Sequence, residues 1–183
     1  MGILEKATNV GIILVCGAVV ADIGYRNFAP RSLEPSASAA AAQRPPSNEY
    51  KPGETLAALP GFTSSPGARS LLFVVKSTCP YCTSSMPFYQ RVVQEVRTAK
   101  SPVQLVGVCV ESAEACQEYF KRHNLTMDLT LGVPPGTLKI VGTPTLLLVD
   151  GGKVTASWTG ALPAPDQQQA VLDATLTRKP GNS

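Results

Sequence analysis

The sequence predicts an α/β fold: a central mixed sheet flanked by helices, preceded by an N-terminal transmembrane helix and a linker. Three observations predict it. Leu71-Leu72-Phe73-Val74-Val75 is an unbroken apolar run, as expected of a strand covered on both faces. Stretches with helical spacing alternate with such runs further along. Near the end, Asp150-Gly151-Gly152 separates two strand-like segments, the pattern of a hairpin, and a last helical stretch follows.

The elements follow in chain order. Residues 1–25 hold the apolar run from Ala7 to Ala21, ATNVGIILVCGAVVA. A membrane-crossing helix needs about 20 residues, and the run extends to Tyr25 if Asp22 lies near the interface. It reads as a membrane anchor. A signal segment cleaved near Val19-Val20-Ala21 is the alternative, and a buried core helix is the third reading. Cys16 lies inside the run and reads as an apolar side chain; Val15 before it argues against a lipid-attachment site. Residues 26–52 form a linker, with Pro30 to Pro52 rich in Pro, Ala and Ser and lacking apolar periodicity.

The globular part spans residues 53–178, with a short tail at 179–183. After the strand around Leu71–Val75, a helical stretch runs to about Lys100, with Met86, Tyr89, Val93 and Val96 on one side. Val103 to Val110 reads as a second buried strand. Glu111 to Asn124 reads as a helix with Ala113, Cys116 and Phe120 on one face. Met127 to Val133 suits a short strand and Gly136 to Val141 a short helix. Thr145 to Val149 and Lys153 to Thr159 are the hairpin strands. Asp166 is expected to cap a final helix reaching about Thr177. Helices are expected on both faces of the sheet.

Composition narrows the function. The chain has 183 residues and a net charge of only +3. It carries no block of Lys and Arg, which excludes a nucleic-acid-binding surface of the usual kind. The five cysteines, Cys16, Cys79, Cys82, Cys109 and Cys116, are odd in number, so a fully paired scaffold is not expected. One histidine, His123, leaves little for a histidine-based metal site, and neither a metal nor another cofactor is expected. His123 reads as a surface residue and Trp158 as packing within the hairpin.

The chemistry concentrates at Cys79-Pro80-Tyr81-Cys82, where a buried strand gives way to a helix. Backbone N–H groups at a helix start, with the partial positive charge there, favour a thiolate over a thiol. Cys79 is therefore the candidate nucleophile. Pro80 suits the first helical position, and the two-residue spacing brings Cys82 within disulfide reach. The implied cycle is thiol–disulfide exchange, with Cys79 attacking and Cys82 resolving the mixed disulfide. Half of a zinc site and a purely structural bridge are the other readings of an isolated CxxC. Cys109 and Cys116 read as buried core thiols, with a second bridge or a relay to the active pair as the alternative.

Lys76-Ser77-Thr78-Cys79-Pro80-Tyr81-Cys82, together with Gly142-Thr143-Pro144-Thr145, resembles the thioredoxin superfamily over about Gly53 to Thr177. The resemblance implies a thioredoxin-like fold and a cis proline at Pro144 facing the cysteine pair. Thr143 and Pro144 would then shape the substrate groove, with the Thr143 backbone open to a substrate chain. Pro87 matches a helix-kinking proline. The KSTCPYC string is similar to glutaredoxins, where a lysine placed like Lys76 helps hold glutathione. The separation of 65 residues (144 − 79) between Cys79 and Pro144 leaves room for an extra strand–helix unit, as in TlpA/ResA-type proteins, and the chain is identified with that group. It departs from the pattern at Phe73, where thioredoxins keep a buried acid, and at Ser85 and Thr78. Peroxiredoxins would need a threonine in place of Lys76.

The resemblance implies a thiol–disulfide oxidoreductase acting on protein disulfides, preferentially as a reductase, with Pro80, Tyr81 and Lys76 tuning the site. A glutathione-dependent reductase and a non-catalytic binding or assembly module are the alternatives. The expected setting is the cytoplasmic membrane, with a single pass and the domain outside, in the periplasm. There it would need a membrane thiol electron donor. Lys6 before the apolar run and Arg26, Arg31 and Arg44 after it run against that orientation, whereas the oxidising chemistry favours it.

Overall fold

The computed structural model describes residues 49–177. The predicted anchor and most of the linker lie outside the described residues, as does the tail. Among the described residues no helix is long and apolar enough to cross a membrane.

Five strands form one mixed sheet in the order β3-β2-β1-β4-β5. They are β1 (Arg69–Val75), β2 (Val103–Cys109), β3 (Leu129–Gly132), β4 (Thr145–Asp150) and β5 (Lys153–Thr159). β1 sits at the centre, parallel to β2 and antiparallel to β4. That position explains its composition. Every residue of β1 is buried, so both faces demand apolar side chains and the run reads Leu-Leu-Phe-Val-Val without alternation. Each such side chain contributes about 1.5–3 kcal/mol when fully buried. The one charged member, Arg69, donates to the Ala174 and Thr175 carbonyls at 2.7 and 3.3 Å, at the end of the last helix.

The helices among the described residues are α1 (Pro80–Ser84), α2 (Met86–Thr98), α3 (Ala113–Arg122) and α4 (Pro165–Leu176). The predicted helix from the CxxC motif to Lys100 is thus divided in two at Ser85. Pro87 has no N–H to give to a carbonyl one turn earlier, and the chain restarts with that proline in the first turn, where no such bond is needed. The Ser84 and Ser85 hydroxyls both return to the Tyr81 carbonyl, at 3.0 and 2.8 Å, satisfying the broken end. The buried side of α2 is Met86, Phe88, Tyr89, Val92 and Val96, with Val93 only half-buried.

Alternate residues of the central strands enter two different clusters. Leu71, Phe73 and Val75 face α2, α3 and α4, meeting Tyr89, Val92, Phe120 and Val171. Leu72 and Val74 face a second cluster containing Tyr50, Leu56, Leu59, Val133 and Leu138, none of them helical. Helices on both faces were the expectation; among the described residues all of those packed on the sheet cover one face. The physical reason lies partly in Pro134-Pro135-Gly136. A short helix was predicted at Gly136 to Val141, but Gly136 takes φ 85 and the Thr137 N–H turns back to the Pro134 carbonyl at 3.2 Å. The Ile140 N–H reaches only to Leu138. The segment is an irregular strap whose buried Leu138 seals the sheet.

The hairpin forms as expected, with Gly151 and Gly152 at φ 54 and 83, the left-handed pair that a two-residue turn of this twist requires. The last helix is capped differently from the expectation. Ala164 is the N-cap, Pro165 opens the helix, and Asp166 stands in the first turn, where its charge meets the helix dipole instead of an unpaired N–H.

Candidate active site

Cys79 occupies the N-cap position of α1, directly beyond the end of β1, and is half-buried. The Cys79 N–H donates to the Lys76 carbonyl at 3.0 Å, closing a turn, and its own carbonyl accepts from Cys82 and Thr83. Cys82, one turn deeper, is fully buried. Both are free thiols. Pro80 and Tyr81 are exposed, Tyr81 to 67%, and Lys76 is exposed as well.

The loop before β4 comes across to meet this pair. The Thr143–Pro144 peptide bond is cis, as the family resemblance implies. The Cys79 thiol donates to the Thr143 carbonyl at 3.3 Å. Pro144 is buried and Thr143 half-buried, and the Thr145 hydroxyl holds the loop by donating to the Gly142 carbonyl at 2.7 Å. Residues 64 positions apart thereby share one small surface with the nucleophile at its centre.

The two sulfurs have opposite tendencies. Burial works to raise the Cys79 pKa. Hydrogen bonds from the Cys82 backbone and thiol, the Thr143 side chain and the Tyr81 backbone outweigh it and bring the group below its ordinary value. The S–H bond to the Thr143 carbonyl favours the neutral thiol, so it belongs to the resting state, and the donors of α1 belong to the anion. Cys82 is pushed up to about 12, first by burial; the Lys76 backbone bond opposes this and Cys79 adds to it. Burial likewise raises the phenols of Tyr89 and Tyr119, which stand near the pair. At the position where thioredoxins keep an acid, Phe73 is fully buried with its ring edge-on to Tyr89, centroids 5.1 Å apart.

Cys109 and Cys116 form a disulfide with Cα atoms 5.4 Å apart, joining the end of β2 to α3. The reading as two free core thiols is therefore corrected. Both sulfurs are fully buried, as free core thiols would also be, so burial pattern alone does not separate the two states. Two further contacts escaped the sequence reading. Glu111 accepts from the Ser77 N–H at 2.6 Å and from the Ser77 hydroxyl at 2.9 Å. The Tyr119 and Thr83 hydroxyls approach to 3.4 Å, tying α3 to α1. An acid directly after a buried strand, in Val110-Glu111-Ser112, is the only signal for the first of these. His123 packs against Tyr119, ring centroids 4.8 Å apart, and Trp158 packs against the helix-side cluster. Among the described residues no group of three His, Cys, Asp or Glu side chains is placed to hold a metal ion.

The profile of the AhpC/TSA family matches residues 62–156, which contain β1 through most of β5 with both cysteines and the cis proline. The chain belongs to the AhpC/TSA family. No curated protein matches it. Among solved structures, one assigned as a protein disulfide isomerase from Bacteroides thetaiotaomicron superposes with a TM-score of 0.53 at 19% identity, covering 69% of this chain and 91% of that one. A thiol-disulfide oxidoreductase from Bacteroides fragilis gives a TM-score of 0.50 at 19% identity, covering 67% and 98%. At that identity the likeness is one of fold. The five-stranded mixed sheet, with the cis proline set beside the dithiol, is a thioredoxin-like fold. Its dithiol, with one sulfur half-exposed and the other buried behind it, is an arrangement able to carry out thiol–disulfide exchange.

Proposed function

We propose that this chain reduces disulfides of exported proteins, held outside the cytoplasmic membrane by its N-terminal segment. The supporting observation is the asymmetry of the pair: Cys79 reachable and biased toward the anion, Cys82 buried and biased toward the thiol. A nucleophile must be exposed and ionised, whereas a resolving thiol must wait until a mixed disulfide forms.

The Cys79 thiolate attacks one sulfur of a substrate disulfide. The substrate S–S bond breaks, a Cys79–substrate S–S bond forms, and the departing thiolate takes a proton. Cys82 then gives up its proton and attacks Cys79 Sγ, releasing the second substrate thiolate. The chain is left with a Cys79–Cys82 disulfide, and two electrons have passed to the substrate. Among the described residues, none of the groups that shift the Cys82 pKa most is a carboxylate, so its proton leaves to water or to the departing substrate thiolate. The Thr143 backbone, beside Cys79, is positioned to align an extended substrate segment. A membrane dithiol returns the pair to its reduced form.

The test is turnover of a disulfide-bonded protein such as insulin by the reduced domain, alongside the reduction potential of the pair. Wild type reduces the substrate, Cys79→Ser does not, and Cys82→Ser accumulates a mixed disulfide. A potential near about −270 mV supports the reductase, and one near about −120 mV makes the chain an oxidant instead. Absence of any exchange with full activity in vivo of a Cys79→Ser, Cys82→Ser protein would make it a binding module.

A further inference from the structure

We propose that Glu111 is a positioning residue for this exchange reaction, acting through Ser77 to hold the loop that delivers Cys79, and that it is set in place by a backbone pinned from two sides. The inference rests on the dithiol reading of the site.

The loop Lys76-Ser77-Thr78 is the whole connection between the central strand and the nucleophile. Its interior anchor is a two-pronged one: the Ser77 N–H and hydroxyl each donate to a different oxygen of the Glu111 carboxylate, at 2.6 and 2.9 Å. Both residues are half-buried, which strengthens charge-assisted bonds over their value in open water. A side chain can hold a loop only if its own backbone is held. The Val110 N–H donates to the Val75 carbonyl at 3.1 Å, extending the β1–β2 pairing to the residue before Glu111. Cys109 is bonded to Cys116 on one side of it. On the other, Gly132 of β3 lies so close to the backbone of Glu111, Ser112 and Ala113 that a Cβ there would overlap all three, with the Glu111 carbonyl at 2.5 Å. The Val133 N–H donates to the Cys109 carbonyl at 2.8 Å. The segment from Cys109 to Ala113 is therefore clamped between sheet edge and helix, and Glu111 extends from the clamp to the active loop.

The consequence concerns geometry at Cys79. Its anion is stabilised by donors of α1, and those bonds survive only while the loop keeps the sulfur at the helix start. Loosening the loop loses them. Removing a nearby negative charge does the reverse and makes the anion easier to form. The two effects have opposite signs, so the role is separable from a bare electrostatic one. A glutamine at 111 keeps both prongs: its carbonyl accepts from the Ser77 N–H and its amide donates to the Ser77 hydroxyl.

The experiment compares wild type, Glu111→Ala, Glu111→Gln and Ser77→Ala. It reads kcat and KM for protein-disulfide reduction, the pH midpoint of Cys79 alkylation, and the melting temperature. Glu111→Ala is expected to lower kcat about tenfold and to move the alkylation midpoint upward. Glu111→Gln is expected to stay within about threefold of wild type with no upward move, and Ser77→Ala, which loses one prong, to fall between them. Wild-type kcat and midpoint in Glu111→Ala overturn the proposal. So does equal damage in Glu111→Gln, or a midpoint that moves down in Glu111→Ala. Should Glu111→Ala not fold, Ser77→Ala decides: unchanged kcat and midpoint there overturn the proposal. If wild type itself shows no exchange, the dithiol reading fails and the positioning role falls with it. Exchange by wild type with unaltered variants removes the positioning role alone.

Discussion

Selective alkylation of the reduced protein puts a number on the difference between the two active-site sulfurs. Cys82 is pushed up to about 12 from an ordinary 9.0, a difference of about 3 units, so at neutral pH its thiolate is about a thousandfold scarcer than that of an ordinary cysteine. A more basic thiolate is intrinsically more reactive, with a slope of about 0.4–0.5, which returns about twentyfold. Ionisation alone leaves Cys82 about fiftyfold slower than an ordinary thiol. Cys79 lies on the other side of the ordinary value and is half-exposed, so the observed ratio between the two is larger still. The assay is timed iodoacetamide labelling of the reduced chain from pH 6 to 11, with the sites resolved by peptide mass. Label at Cys109 or Cys116 reports whether reduction has also opened their disulfide. The Cys79 rate is expected to level off below pH 9.0, whereas the Cys82 rate climbs tenfold per unit beyond it. Labelling of Cys82 within about fivefold of Cys79 at neutral pH would refute the reasoning, because neither the buried thiol nor the stabilised anion would then exist.

Four other outcomes follow from the same structure. Replacing Cys109 and Cys116 by alanine opens a closed loop of 8 residues (116 − 109 + 1), worth about 2.5 kcal/mol of chain entropy, and should lower the melting temperature by about 5–10 °C in circular dichroism. Stability should decline at alkaline pH for a traceable reason. The folded state keeps the Cys82 proton up to about 12 while an unfolded thiol releases it near 9.0, so this contribution is full below 9.0 and is lost as pH rises toward 12. Urea titrations should show a loss approaching about 1.4 kcal/mol per pH unit that is absent in Cys82→Ala up to pH 10.0, above which the raised phenols of Tyr89 and Tyr119 add a loss of their own in both proteins. Arg69→Met leaves the Ala174 and Thr175 carbonyls without their donor and should cost about 2 kcal/mol in the same titration. Lys76→Ala distinguishes the substrates: turnover coupled to glutathione should be as slow as in wild type, with protein-disulfide reduction intact, and a selective loss of glutathione-linked turnover would favour the glutaredoxin-like alternative.

Local chemistry made much of this protein legible from its residues in order. A strand buried on both faces has to be apolar throughout, so β1 announced its central place. A proline beside a cysteine at the start of an amphipathic stretch marks a helix start, and two glycines after an aspartate mark a tight turn. What pairs across the chain was not legible in the same way. That Thr143 and Pro144 face Cys79 was legible only through the family resemblance, whereas the contact of Glu111 with Ser77, and the choice of a Cys109–Cys116 bond over two free thiols, depend on how three parallel strands and α3 are stacked. The covering of the second sheet face was equally hidden, since a strap anchored by Leu138 and a helix bury the same apolar side chain. Sequence thus determined which residues carry the chemistry and the local conformation each prefers, because those are short-range steric and solvation effects. Tertiary structure alone decided which sulfur is exposed, which is buried, and which distant carboxylate steadies the loop between strand and nucleophile. Those are properties of where surfaces meet, and only the assembled packing sets the solvent access and neighbours on which a thiol's ionisation depends.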